Sequence, residues 1–233
     1  MDQSLDRVMI TGSTGKLGRE LVKVFPNALT PTHKVLELGD RNAVFTYIQE
    51  NRPTTIVHAA ALTGIRECEE DREKAWRSNV IGTENLVDAC LKFVPSTYFV
   101  YVSTACVFDG HRGFYTERDV PYPENFYALT KLLGEFVVKK LPLHLIVRTN
   151  FVARERWRFP KAFIDRFGTY LFADDVARGI REVVDAKLTG VVHVCGDRKM
   201  SMYELARLTT SEVEPMTLAE YSGPRLTIDM TLD

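Results

Sequence analysis

Short apolar runs alternate along the chain with longer stretches in which apolar residues recur every three or four positions. Arg7-Val8-Met9-Ile10-Thr11 reads as a buried strand, followed by a glycine-rich turn and a helix through Leu21 and Val24. A short second strand falls near Ala28 to Thr30. Thr55-Ile56-Val57-His58, Tyr98 to Val102, Leu143 to Val147 and Val191 to Cys195 have the apolar, β-branched character of further strands. Helical spacing covers Glu73 to Phe93, with Trp76, Val80, Leu86, Val87 and Cys90 apolar, and again Phe126 to Lys140. Strands that alternate with helices predict an α/β fold: a doubly wound parallel sheet with helices on both faces.

Past Arg148 the rhythm weakens. Arg154 to Pro160 is mixed and basic and reads as a loop. A helix is expected from Asp174 to Ala186, with Asp174 as its N-cap and Gly190 beyond its end. Ser201-Met202-Tyr203-Glu204 has the spacing of a capping box at the start of another helix. This divides the chain into a main α/β domain, 1–150, and a smaller, reduced lobe, 151–233, interleaved with the last sheet elements.

Composition narrows the function. Lys plus Arg number 30 against 31 Asp plus Glu, a formal net charge of -1, so no global field favours nucleic acid or a membrane surface. The polar start, Met1 to Arg7, has no signal-peptide pattern, and no apolar run is long enough to span a bilayer. Cys68, Cys90, Cys106 and Cys195 are scattered, without metal-knuckle or CxxC spacing; reduced thiols in a cytoplasmic protein are expected, and no metal site.

The first strand runs into Gly12-Ser13-Thr14-Gly15-Lys16-Leu17-Gly18, and a helix follows. Gly12 permits a tight turn, Gly15 lets a phosphate approach the backbone, and Gly18 allows helix and strand to pack closely. The helix N-terminus then offers amides and a positive dipole end to a pyrophosphate. In this context the loop predicts a Rossmann fold.

Tyr127-Ala128-Leu129-Thr130-Lys131 sets a phenol and an ammonium four residues apart, on one face of a helix. A nearby ammonium favours phenolate and lowers the tyrosine pKa, so the pair could exchange a proton near neutral pH. The strand from Tyr98 ends in Ser103-Thr104, placing a hydroxyl where parallel sheets bind ligands. Glycine loop, strand-end hydroxyl and Tyr/Lys helix occur in that order.

The GxxGxxG spacing resembles the extended branch of the short-chain dehydrogenase/reductase superfamily. Ser103 to Gly110, Tyr115-Thr116-Glu117, Pro123 to Tyr127 and Thr130 to Glu135 resemble dTDP-4-dehydrorhamnose reductases. So do His58-Ala59-Ala60-Ala61, Arg148 to Val152 and Ala173 to Ala177. The resemblance implies NADPH-dependent reduction of a 4-keto nucleotide sugar, with Thr104, Tyr127 and Lys131 catalytic. It puts Gly12 to Gly18, Ala59, Ala60, Ala61, Tyr127 and Lys131 at the cofactor, and Ala105, Cys106 and Asn150 at the substrate. Two features depart from the family. Ala105-Cys106 stands where an Asp and an aromatic or acidic residue are usual, and Arg154 to Tyr170 is shorter than the usual substrate segment. The short lobe could be completed by a second copy in a homodimer.

Cofactor choice turns on the tip of the second strand, which continues as Pro31-Thr32-His33-Lys34 with no carboxylate before Glu37. Lys34 and His33 are expected to meet a 2′-phosphate, favouring NADP(H) over NAD(H); Glu37 would favour NAD(H) if the strand ran longer. Two rivals stay open. A nucleotide-sugar epimerase or dehydratase uses the same triad, and a non-catalytic NADP-binding subunit like the methionine adenosyltransferase β subunit resembles the same family.

Overall fold

The computed structural model describes residues 7–233; the polar segment before Arg7 lies outside the described residues. In chain order the elements begin with strand β1 (Val8–Thr11), helices α1 (Lys16–Val24) and α2 (Arg41–Asn51), and strand β2 (Thr55–His58). Helices α3 (Ile65–Glu70), α4 (Arg72–Trp76) and α5 (Gly82–Phe93) follow, the last two joined by a π-helical turn, Arg77–Ile81. Then come β3 (Tyr98–Thr104), α6 (Phe126–Val138), β4 (His144–Thr149), β5 (Phe151–Val152), β6 (Lys161–Phe163), β7 (Phe167–Gly168) and β8 (Leu171–Phe172). The chain finishes with α7 (Ala173–Asp185), β9 (Gly190–Val194), β10 (Met200–Ser201), α8 (Met202–Arg207), β11 (Glu214–Met216) and β12 (Asp229–Met230).

The main sheet is parallel and five-stranded, in the order β1-β2-β3-β4-β9. Its strands are apolar on both faces because both faces are covered. Successive residues point to opposite sides. Met9, Ile56, Phe99 and Tyr101 pack with Val44 and Ile48 of α2, Leu86 of α5 and Val138 of α6. Ile10, Val57, Val100 and Val147 pack on the other face with Leu17 and Leu21 of α1 and Val176 and Ile180 of α7. The doubly wound expectation therefore holds.

Several expectations are revised. The strand near Ala28 to Thr30 reduces to one bridge, Leu29 beside Met9. Since Met9 also pairs with Ile56 of β2, the chain leaves β1 to one side and returns on the other, and ligand crevices form at such a switch point. The helix read over Glu73 to Phe93 is interrupted by the π turn. Helix α7 begins at Ala173 after an N-cap, Phe172, that gives no side-chain bond. Asp174 is thus not its cap; it lies in the first turn, where Arg154 holds its carboxylate. The capping box at Ser201 forms as read, Glu204 N–H donating to Ser201 Oγ at 3.1 Å and Ser201 N–H to Glu204 Oε2 at 2.7 Å. No described helix is long and apolar enough to cross a membrane.

Candidate active site

The glycine turn sits at the carboxyl end of β1. Gly12 has φ +72°, and a Cβ there would lie 2.7 Å from the Ala60 backbone. A Cβ on Gly18 would fall 1.9 Å from the Gly12 carbonyl oxygen, so α1 can close on the turn only with glycine at that position. Gly15 differs: a Cβ there would meet only the Gly12 oxygen, at 3.2 Å, and otherwise face the cavities on either side. Gly15 is also the N-cap of α1 and adds no side-chain bond, which leaves the first-turn amides to an incoming anion. These residues fit the pyrophosphate of a dinucleotide.

Two cavities flank the turn and share Gly12, Gly15, Ala59 and Ala61 on their walls. The first, about 510 Å³, takes in Ser13, Thr14, Ala60, His33, Glu37 and Arg77. Lys34, expected beside His33, is not on this wall. The amides of Val35 and Leu36 both close on the Thr32 carbonyl, at 2.9 Å each; in the tight turn this makes, Leu36 is buried and Lys34 exposed. Glu37 is on the wall, with Oε1 accepting from Gly39 N–H at 2.9 Å and Oε2 at 2.8 Å from His33 Nε2.

The second cavity, about 460 Å³, is lined by Lys16, Leu17, Gly18, Thr104, Tyr127 and Lys131, with Cys106 and Asn150 beyond them. Helix α6 is fixed at its start by two side-chain oxygens, one amide and one carboxylate. Asn125 Oδ1 accepts from Ala128 N–H at 2.9 Å, and Glu69 Oε1 of α3 accepts from Phe126 N–H at 2.7 Å. At the end of β3, Thr104 Oγ1 accepts from Cys106 N–H at 3.2 Å, a local bond, and shares the cavity wall with the Tyr127 phenol. Ala105 departs from its expected place: it is fully buried in a small core and is not on the cavity wall. Cys106 reaches the wall, and its Sγ lies 3.3 Å from Met230 Sδ.

The electrostatics correct the simple Tyr/Lys reading. Burial pushes the Tyr127 pKa up, and the nearby Thr104 hydroxyl only partly opposes it. The Lys131 ammonium lies instead over the Tyr101 ring, 4.0 Å from its centroid. Burial lowers the Lys131 pKa to about 7, against the pull of Glu135 one turn further along α6. Glu135 is itself buried, paired with Arg148 at 2.8 Å and accepting from Ser103 Oγ at 2.6 Å.

Two polar arrangements behind the site escape a reading by spacing. Thr83 Oγ1 donates to Asn79 O at 2.7 Å and so accepts from His58 Nε2 at 3.0 Å. His58 Nδ1 then accepts from Thr11 Oγ1 at 2.6 Å, and Thr11 Oγ1 accepts from Ala60 N–H at 3.3 Å. Burial, with the Lys131 charge, lowers the His58 pKa to about 3 and keeps the ring neutral. Asn79, on the π turn, binds Leu62 through both its side-chain atoms and donates to Thr130 Oγ1 of α6 at 2.9 Å. The sequence carries little signal for it: Asn79 follows Arg77 and Ser78 in a stretch of mixed polarity.

The fold and this arrangement of glycine turn and strand-end hydroxyl beside a Tyr/Lys helix define an extended short-chain dehydrogenase/reductase. The chain belongs to the RmlD substrate binding domain family, which matches residues 6–224. It is 33% identical over 225 residues to the dTDP-4-keto-6-deoxy-D-glucose reductase of Streptomyces niveus, covering 88% of this chain and 77% of that one. It is 29% identical over 255 residues to methionine adenosyltransferase 2 subunit beta of Danio rerio, covering 91% and 77%. Among solved structures, the dTDP-4-dehydrorhamnose reductase of Bacillus anthracis in complex with NADP superposes with a TM-score of 0.89 at 27% identity, covering 98% of this chain and 90% of that one.

Proposed function

We propose that the protein reduces a 4-keto nucleotide sugar with NADPH, its segment 1–150 holding the cofactor and 151–233 the substrate. The observation that carries this is the meeting of Thr104, Tyr127 and Lys131 on one cavity wall next to the glycine turn. The bound cofactor would supply the hydride. Thr104 holds the keto oxygen against Tyr127, and Tyr127 gives that oxygen a proton. Burial keeps the phenol protonated, the form a reduction needs. Lys131 would bind the nicotinamide ribose and replace the proton that Tyr127 gives up. The reductase names of the relatives support the same reading. The test is NADPH oxidation against a panel of 4-keto nucleotide sugars. Substrate-dependent oxidation with a reduced sugar as product is expected, and a folded, NADPH-binding protein with no turnover would overturn it. Similarity to the methionine adenosyltransferase β subunits favours the second reading, a cofactor-binding subunit. A stoichiometric protein partner together with absent turnover would select it.

A further inference from the structure

The second cavity has two unlike walls. Besides Tyr127 and Lys131 it is lined by the loop 153–159, which Glu155 ties to the first turn of α1 through Lys16. Two of its arginines are committed elsewhere, Arg154 to Asp174 and Asp175, and Arg156 to Glu212. Arg158 has no ion pair among the described residues and rests on the Phe159 ring, 4.5 Å from its centroid. Trp157 and Phe159 pack edge to face, with centroids 6.1 Å apart, and give the loop an aromatic side on the same cavity.

Glu155 spans the gap, its carboxylate 3.0 Å from Lys16 Nζ. Lys16 foremost, then Arg19 and Arg158, hold that carboxylate below its usual range. A single negative charge thus sits among three cations, two of which, Lys16 and Arg158, line the cavity that reaches the glycine turn. Both partners of the ion pair are half exposed, at 49% and 55%, so water screens it and it binds weakly. A diphosphate brings more charge and more acceptor oxygens to the same cations.

We propose that Lys16 and Arg158 form a diphosphate clamp closed by loop 153–159, with Glu155 as the placeholder that holds Lys16 until a ligand takes it. The clamp rests on the nucleotide-binding reading above. Two diphosphates could reach it: the pyrophosphate of the cofactor and the diphosphate of the nucleotide sugar.

Calorimetric titration of inorganic pyrophosphate, NADPH and dTDP into the wild type, Glu155→Gln and Arg158→Ala tests it, with melting curves to verify folding. Removing the competing carboxylate should tighten pyrophosphate binding about two- to fivefold, the range of an exposed ion pair. Arg158→Ala should weaken it about tenfold, as for a lost charge-assisted hydrogen bond. Parallel shifts for NADPH assign the clamp to the cofactor, and for dTDP to the substrate. Unchanged or weaker pyrophosphate binding in Glu155→Gln overturns the placeholder, and no pyrophosphate binding by the wild type overturns the clamp. If pyrophosphate behaves as expected while NADPH does not bind, the reductase reading fails and the clamp stands.

Discussion

Tyr127 and Lys131 show how far single residues could be read. Their four-residue spacing predicts one face of a helix, and both line the second cavity, but spacing carries no information on burial, and burial decides their charges. The phenol stays protonated and the ammonium moves toward neutrality, because each loses water in exchange for few compensating partners. Tyr127→Phe should bind NADPH as the wild type does and lose about 10²–10⁴-fold in kcat, since only the transferable proton is gone; full turnover in the folded variant would remove Tyr127 from the chemistry. His58 gives a stability prediction. Its folded pKa, about 3, lies below the unfolded value near 6.5. Between those values the unfolded chain binds a proton that the native ring refuses. Stability is therefore complete above about pH 6.5 and falls on acidification toward pH 3, by up to about 1.4 kcal/mol per pH unit. Urea melts of the wild type and His58→Gln from pH 7 to 4.5 should show a shallower decline in the variant. Identical slopes would mean that His58 is not the group that titrates.

At the scale of elements, the strands were the legible part. A parallel sheet covered on both faces needs unbroken apolar runs, and β1, β2, β3, β4 and β9 each have one. Helix α2 went unread because only Val44 and Ile48 of its residues are buried, too few for a clear apolar stripe. Its cap was in view all the same: Asp40 Oδ1 accepts from Asn42 and Ala43 N–H. The π turn between α4 and α5 could not be read from periodicity, since a register change of one residue leaves the apolar spacing nearly intact on either side. Its consequence is local and specific: Asn79 ties the segment after β2 to α6, the helix that bears Tyr127 and Lys131. Asn79→Leu would leave the half-buried N–H of Leu62 without its partner and its C=O with only the Cys68 thiol, 3.5 Å away, at a cost of about 1 kcal/mol. The expected outcome is a lower melting temperature together with a fall in kcat larger than any change in KM for NADPH, because α6 and not the phosphate turn loses its tie. A variant with wild-type melting and kcat would show that the Leu62–Asn79–Thr130 bridge does not position α6.

At the scale of the whole molecule, the cofactor question is settled by which charges the chain collects around the first cavity. The second strand shrinks to one bridge at Leu29, so the residues after it turn early and bring His33, not Lys34, to the wall. The distant π turn supplies Arg77 to the same wall from about 40 residues further along, a meeting that only the tertiary fold creates. Arg77 packs against the Glu37–Gly39 turn so closely that a Cβ on Gly39 would lie 2.7 Å from its Nε. Lys74 also lines the cavity, though Glu67 holds it at 2.7 Å. Against these stands one carboxylate, Glu37, with both oxygens engaged by His33 and the Gly39 amide. A carboxylate occupied in this way is a poor partner for a ribose 2′-hydroxyl, while the guanidinium and imidazole suit a 2′-phosphate. NADPH should therefore bind more tightly than NADH. Arg77→Ala should reduce that preference about tenfold, the worth of one charge-assisted hydrogen bond, whereas Lys34→Asp should change it little. Glu37→Gln should increase the preference by removing the only carboxylate on this wall among the described residues. Fluorescence titration of both reduced cofactors into the wild type and these three variants decides the matter: tighter NADH binding by the wild type would reverse the assignment, and loss of NADPH preference in Lys34→Asp with none in Arg77→Ala would return the role to the residue that the sequence alone suggested.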